Sequence, residues 1–124
     1  MRKLHQVAAA TACAISAIML SGSVLAQEAG VKKEATGKDL AFDRKKGNCL
    51  ACHAMPTQPD AESAGMYGPP LIAMSARYPD KAKMRAQIWD ATVANPSTTM
   101  IPFGKHGVLS EKEIDKIADF VYGL

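Results

Sequence analysis

Hydrophobic positions divide the chain into an apolar leader, a polar stretch and a series of short amphipathic segments. Arg2 and Lys3 precede an Ala-rich apolar run from Val7 to Leu20, and Val24-Leu25-Ala26 then offers small or short side chains for cleavage. Residues 1–26 are therefore expected to be a cleaved secretory signal peptide. The competing reading is a transmembrane anchor, but the clearly apolar part falls short of the roughly 20 residues a span requires. Residues 27–36 include Lys32, Lys33 and Glu34 with little to bury, and are expected as a flexible N-terminal tail. That leaves 37–124 as the folded domain.

Within the domain the apolar spacing predicts helices. A first one starts near Gly37–Asp39, carries Leu40, Ala41 and Phe42, and meets the charged run Asp43-Arg44-Lys45-Lys46, with Gly47 suited to ending it in a left-handed turn. Residues 54–68 contain Pro56, Pro59, Gly65 and Gly68 and read as loop. A short helix is expected after Pro70, through Leu71-Ile72-Ala73-Met74. Pro79-Asp80 opens a longer one, whose Met84, Ile88, Ala91 and Thr92 form one stripe until Asn95-Pro96 stops it. The last helix has the strongest signature. Ser110 and Glu113 form a capping box, Leu109 and Ile114 a hydrophobic staple, and Ile114, Ile117, Ala118, Val121 and Tyr122 an apolar face. No strand of useful length is visible, so the fold class is all-α with long loops.

The 124 residues carry a formal charge of +3, with 48% hydrophobic and only 6% aromatic side chains. Loss of residues 1–26 leaves 98, with thirteen basic against twelve acidic side chains. A near-neutral balance excludes the broad basic field that nonspecific nucleic-acid binding needs. Long loops in so small a domain argue against a core built from side chains alone.

The cysteines supply what could fill that core. Cys13 lies in the leader and lacks the preceding hydrophobic stretch of a lipoprotein cleavage site. Cys49 and Cys52 stand in Cys49-Leu50-Ala51-Cys52-His53, the C-x-x-C-H attachment pattern of a c-type haem. On a short helical turn, residues i and i+3 face the same way, so two thiols can add across the two vinyl groups of one haem. His53 then offers its imidazole as the proximal iron ligand. A thioredoxin-like pair would want a βαβ context, and no β-branched run precedes Cys49. A zinc site needs four ligands, with only His106 left as a nitrogen donor. A disulfide would not ask for a neighbouring histidine. One covalent haem c is expected, wrapped by loops and supplying much of the stability.

The sixth ligand is expected to be Met100, which lies 47 residues after His53 in the irregular stretch 95–107. His106, Met66 and Met74 are alternatives. Met55 is too close to His53 to reach the opposite face, and Met84 belongs to a helix stripe. The Gly68-Pro69-Pro70 turn could hold a carbonyl for the other ring N–H of His53, or be an ordinary turn. Trp89 could bond a haem propionate or simply fill space. Lys81, Lys83, Arg85 and Lys105 could ring a docking site with charge, or form a solvated helix face.

C-x-x-C-H, then Gly68-Pro69-x-Leu71, then a methionine before a C-terminal helix resembles the class I cytochromes c. Longer stretches resemble the SoxX family, monohaem subunits of the sulfur-oxidation system: Lys46 to His53, Gly68 to Leu71, Arg85 to Thr92 and Met100 to His106. Together they cover most of 37–124. Two departures stand out. Ile101 occupies a place where the family commonly has proline, and Gly47-Asn48 separates the first helix from Cys49 more than in ordinary class I members.

The resemblance implies a cytochrome c-like bundle with the first and last helices crossing near the haem. It places Cys49, Cys52, His53, Met100, Pro69 and Leu71 around that haem. It further implies a periplasmic heterodimer with a SoxA-like haem cytochrome. That SoxAX complex, an L-cysteine S-thiosulfotransferase, couples thiosulfate to a cysteine of the SoxYZ carrier and passes electrons to a small cytochrome c. The chain itself would be the electron-accepting half without catalytic residues, since both cysteines of the domain serve attachment. A free-standing diffusible carrier is the alternative. A haem sensor, with an open sixth position, is the third.

Overall fold

Two side chains, Thr36 and Ser110, start the helices on which the domain is built. The computed structural model describes residues 33–124; the expected signal peptide and most of the expected tail lie outside the described residues. Thr36 accepts the Asp39 N–H at 3.1 Å while the Asp39 carboxylate takes the Thr36 N–H at 2.9 Å, which nucleates α1 (Gly37–Phe42). Ser110 and Glu113 exchange the same pair of bonds at the start of the last helix, Glu111–Tyr122. Between them lie α2 (Met74–Arg77) and α3 (Lys81–Trp89), the latter capped by Asp80, whose carboxylate accepts the Ala82 N–H at 2.9 Å. The helix from Glu111 is thus α4. Single tight turns occupy Cys49–Ala51 and Ala91–Val93, and no strand occurs among the described residues.

α4 is the spine. Its Ile114, Ile117, Ala118 and Val121 are buried, worth about 1.5–3 kcal/mol for each large aliphatic side chain. α1 packs on one side with Leu40 and Ala41, and α3 on the other with Met84 and Ile88. The α1 crossing is close because Gly37 has no side chain: a Cβ there would overlap the carbonyl of Lys116. Phe42 and Phe120 meet edge to face beside it, centroids 6.2 Å apart. Ion pairs fence the same crossing. Lys46 Nζ lies 2.8 Å from Glu113, and the ammonium, with the Ser110 N–H, lowers that carboxyl to about 2. Glu34 contacts Lys112 and Lys116, which hold it at about 2, and Lys116 also donates to the Ala35 carbonyl at 2.9 Å. The end of the expected tail is therefore tied to α4.

Several helix ends differ from the sequence expectations, each because a distant or local partner takes the backbone. α1 stops at Asp43, and Gly47 does not adopt the left-handed conformation; its N–H donates to the Leu40 carbonyl at 3.0 Å, and Asn48 (φ 47°) makes the left-handed step. α2 starts at Met74 rather than after Pro70. The Leu71 N–H is engaged by the Ala54 carbonyl at 2.8 Å and the Ala73 N–H by the Leu124 carbonyl at 2.9 Å. The expected stripe Met84–Ile88–Ala91–Thr92 is split at Asp90, an extended residue whose carboxylate accepts the Thr92 N–H at 3.0 Å and begins a new turn. Asp residues favour such caps over helix interiors.

Candidate functional site

The segment 48–53 presents its side chains by local geometry. After left-handed Asn48, the Cys49 carbonyl accepts the N–H of Cys52 at 3.2 Å and of His53 at 2.9 Å. This winds one turn and puts Cys49, Cys52 and His53 on the wall of a single cavity. The two cysteines are not bonded to each other. Burial pushes the Cys49 thiol up to about 11, so it is a neutral S–H.

His53 is held from behind. Its Nδ1 lies 2.6 Å from the Pro69 carbonyl oxygen, a bond in which the ring N–H donates and Nε2 keeps its lone pair. Gly68 packs against the imidazole so tightly that a Cβ would fall 2.7 Å from Nδ1. The supporting loop is laced to the attachment segment through Gly65 N–H to Leu50 O (2.7 Å) and Gly68 N–H to Cys52 O (2.8 Å). The proline turn is thus not an ordinary one: it fixes the tautomer and tilt of His53.

The cavity measures about 460 Å³ and runs from Cys49, Cys52 and His53, past Pro69 and Leu71, into the core. Its far wall is Met84 and Ile88 of α3, Ile117 and Val121 of α4, and Met74, Phe103 and Leu109. Its size and apolar lining suit a cofactor. A flat, mostly apolar macrocycle bonded at one edge by two thiols fits this space, and an imidazole with a free lone pair faces it. The residues present therefore fit haem c.

Among the sixth-ligand candidates, Met100 is half-buried and lines the cavity. His106 is exposed and does not line it, and Met66 is 91% exposed and also away from it. Met55 is buried outside the lining. Met74 and Met84 line it as well, but the Met74 sulfur accepts from Arg77 at 3.4 Å and Met84 is buried on α3. Among the described residues no group of three or more His, Cys, Asp and Glu side chains is placed to hold a metal ion.

Two questions that residue order leaves open find partners in the structure. Trp89 is not among the residues lining the cavity; its indole N–H donates to Glu111 Oε1 at 2.8 Å and is engaged away from the cavity. The basic ring is largely neutralised. Lys81 pairs with Asp119 at 2.6 Å, Arg85 with Glu111 and Asp115, and Lys105 with the buried Asp90 at 2.9 Å. These cations hold helices and loops together. The sequence reading missed Arg77, the one charged side chain lining the cavity among the described residues, which donates to the Pro70 carbonyl at 2.7 Å. Only its position at the end of a short helix beside the proline turn could have suggested it.

Residues 34–121 match the family model described as cytochrome c oxidase, cbb3-type, subunit III. An uncharacterized lipoprotein of Aquifex aeolicus (strain VF5) is 33% identical over 78 residues, which cover 63% of this chain and 37% of that protein. The chain thus spans little more than a third of that relative. The crystal structure of SoxXA from P. pantotrophus contains a chain of the same fold, with a TM-score of 0.63 and 24% identity over 69% of this chain and 77% of that one. No described helix is long and apolar enough to cross a membrane. The matched family, the all-α fold and the C-x-x-C-H wall of the cavity agree: the chain belongs to the cytochrome c family described as cytochrome c oxidase, cbb3-type, subunit III, and carries haem c.

Proposed function

We propose that this cytochrome is the SoxX-like, electron-accepting half of a periplasmic sulfur-oxidising complex, paired with a SoxA-like haem cytochrome. In that reading the complex couples thiosulfate to a cysteine of a SoxYZ-like carrier with release of two electrons, and a small cytochrome c removes them. Residues 1–26 are a cleaved signal, 27–36 a tail and 37–124 the working domain. The observation that carries the site is the His53–Pro69 bond, which aims a prepared imidazole into a cavity that also holds Met100. The sulfur-oxidation reading is supported by the fold likeness to SoxXA and by the stretches around Ile88-Trp89-Asp90 and Pro102-Phe103-Gly104.

Haem c supplies reversible one-electron chemistry at its iron. The chain's residues hold and tune it. Cys49 and Cys52 would hold the haem through their thiols, which the attachment turn presents on one wall of the cavity. His53 donates from Nδ1 to the Pro69 carbonyl, which would leave the Nε2 lone pair to hold the iron. Met100, on the wall of the same cavity, would supply a soft thioether donor that favours ferrous iron relative to a second imidazole. Leu71, Ile88, Phe103 and Ile117 exclude water, so charge changes at the iron are weakly screened. With both cysteines used for attachment, group transfer belongs to the partner.

The test is reconstitution. The holoprotein, mixed with a SoxA-like cytochrome and a SoxYZ-like carrier, should co-elute with the former and be reduced on addition of thiosulfate. A monomer that binds neither and stays oxidised would identify a free-standing carrier.

A further inference from the structure

Trp89 has three engagements that do not reach the cavity yet all concern the loop that carries Met100. Its carbonyl accepts the N–H of Gly104 at 3.1 Å and of Lys105 at 3.3 Å. Its indole lies against the Gly104 backbone, where a Cβ would overlap the ring. Its indole N–H donates to Glu111 in the first turn of α4, and Glu111 is itself held by Arg85. Beside it, the buried Asp90 takes Lys105 at 2.9 Å. The turn at Phe103–Lys105 is thereby clasped between α3 and α4.

Met100 itself has a weaker hold. Its N–H donates to Thr98 Oγ1 at 3.2 Å, and the next residue, Ile101, is half exposed. Three residues, Ile101, Pro102 and Phe103, connect Met100 to the clasped Gly104, and Phe103 lines the same cavity. A displaced Gly104 therefore moves the segment on which the thioether is mounted.

We propose that Trp89 is a positioning residue for the sixth ligand: by clasping Gly104 and bonding Glu111 it sets how often the Met100 thioether leaves the iron. The proposal rests on the reading of Met100 as that ligand. Trp89→Phe removes the indole N–H while keeping a ring against Gly104. Gly104→Ala keeps the N–H but wedges the ring away.

The experiment titrates ferric holoprotein with imidazole, which enters only when the sixth position is open, so its apparent affinity scales with the open fraction. Loss of one hydrogen bond in the clasp should raise that affinity by about tenfold. The helical circular dichroism at room temperature should stay as in wild type, and Gly37→Ala, which destabilises the fold away from the clasp, should lower the thermal midpoint without raising the imidazole affinity. If Trp89→Phe does not mature, Gly104→Ala carries the same expectation. Met100→Ala separates the two claims. If it retains the red-edge sulfur-to-iron band, Met100 is not the ligand and the proposal falls with it. If it loses that band while the clasp variants bind imidazole as wild type does, the clasp alone is refuted.

Discussion

The Nδ1 of His53 stands 2.6 Å from the carbonyl oxygen of Pro69, sixteen residues further along the chain. A rigid proline turn and a side-chain-free Gly68 make that approach possible. Gly68→Ala should push the imidazole out of line. We expect the yield of low-spin holoprotein to fall by about tenfold, in line with losses on removing outer-shell partners of metal ligands. The ratio of haem absorbance to total protein measures it.

Met100→Ala should lower the reduction potential and open the iron while the haem stays attached through Cys49 and Cys52. Ferrous wild-type protein should keep its spectrum under CO, and the variant should not. A spectrum and potential unaltered by the substitution would assign the ligand elsewhere.

Removal of the covalent link should cost most of the fold. Without the haem, the apolar wall of Leu71, Ile88, Phe103 and Ile117 loses the group packed against it. A small domain has only about 5–15 kcal/mol of stability to lose. Cys49→Ala/Cys52→Ala without haem should therefore show no cooperative transition by circular dichroism.

The acid limb of stability should depend on Glu113. Its carboxyl, held at about 2 by Lys46 and Ser110 against an ordinary 4.5, favours the folded state at every pH above 4.5. That contribution is lost as pH falls from 4.5 towards 2. The urea midpoint of Glu113→Gln should be lower than wild type at pH 6 and should converge on it near pH 2. Ser110→Ala, which removes the reciprocal cap, should cost about 1 kcal/mol at neutral pH.

The α1–α4 crossing makes a separate prediction. Gly37→Ala inserts a methyl group against the Lys116 carbonyl, and overpacking of that kind costs about 1–3 kcal/mol. Thermal unfolding of the holoprotein should show the loss without any change in the haem spectrum, because Gly37 is not among the cavity-lining residues.

Elements specified within one turn of chain were legible from residue order. Ser110-x-x-Glu113 starts α4, Asp80 starts α3, and Cys49 to His53 wind one turn, because each bond joins residues at most four apart. The all-α class follows from the same local rules, as does haem attachment, whose five-residue pattern is itself a local geometry. Even so, a local competitor was overlooked at Asp90, where a cap outbid continuation of the helix.

What folding alone decided are partnerships between residues far apart in the chain. Trp89 turned to Glu111, twenty-two positions away, rather than to the cavity, and Lys81 and Arg85 of α3 were neutralised by α4. Leu71 and Ala73 gave their N–H groups to Ala54 and Leu124, which delayed α2. Arg77 came to the cavity wall in the same way. A polar group leaving water must find some partner, and which one it meets depends on how helices pack around a shared core. Residue order lists the donors and acceptors; three-dimensional packing chooses the pairs.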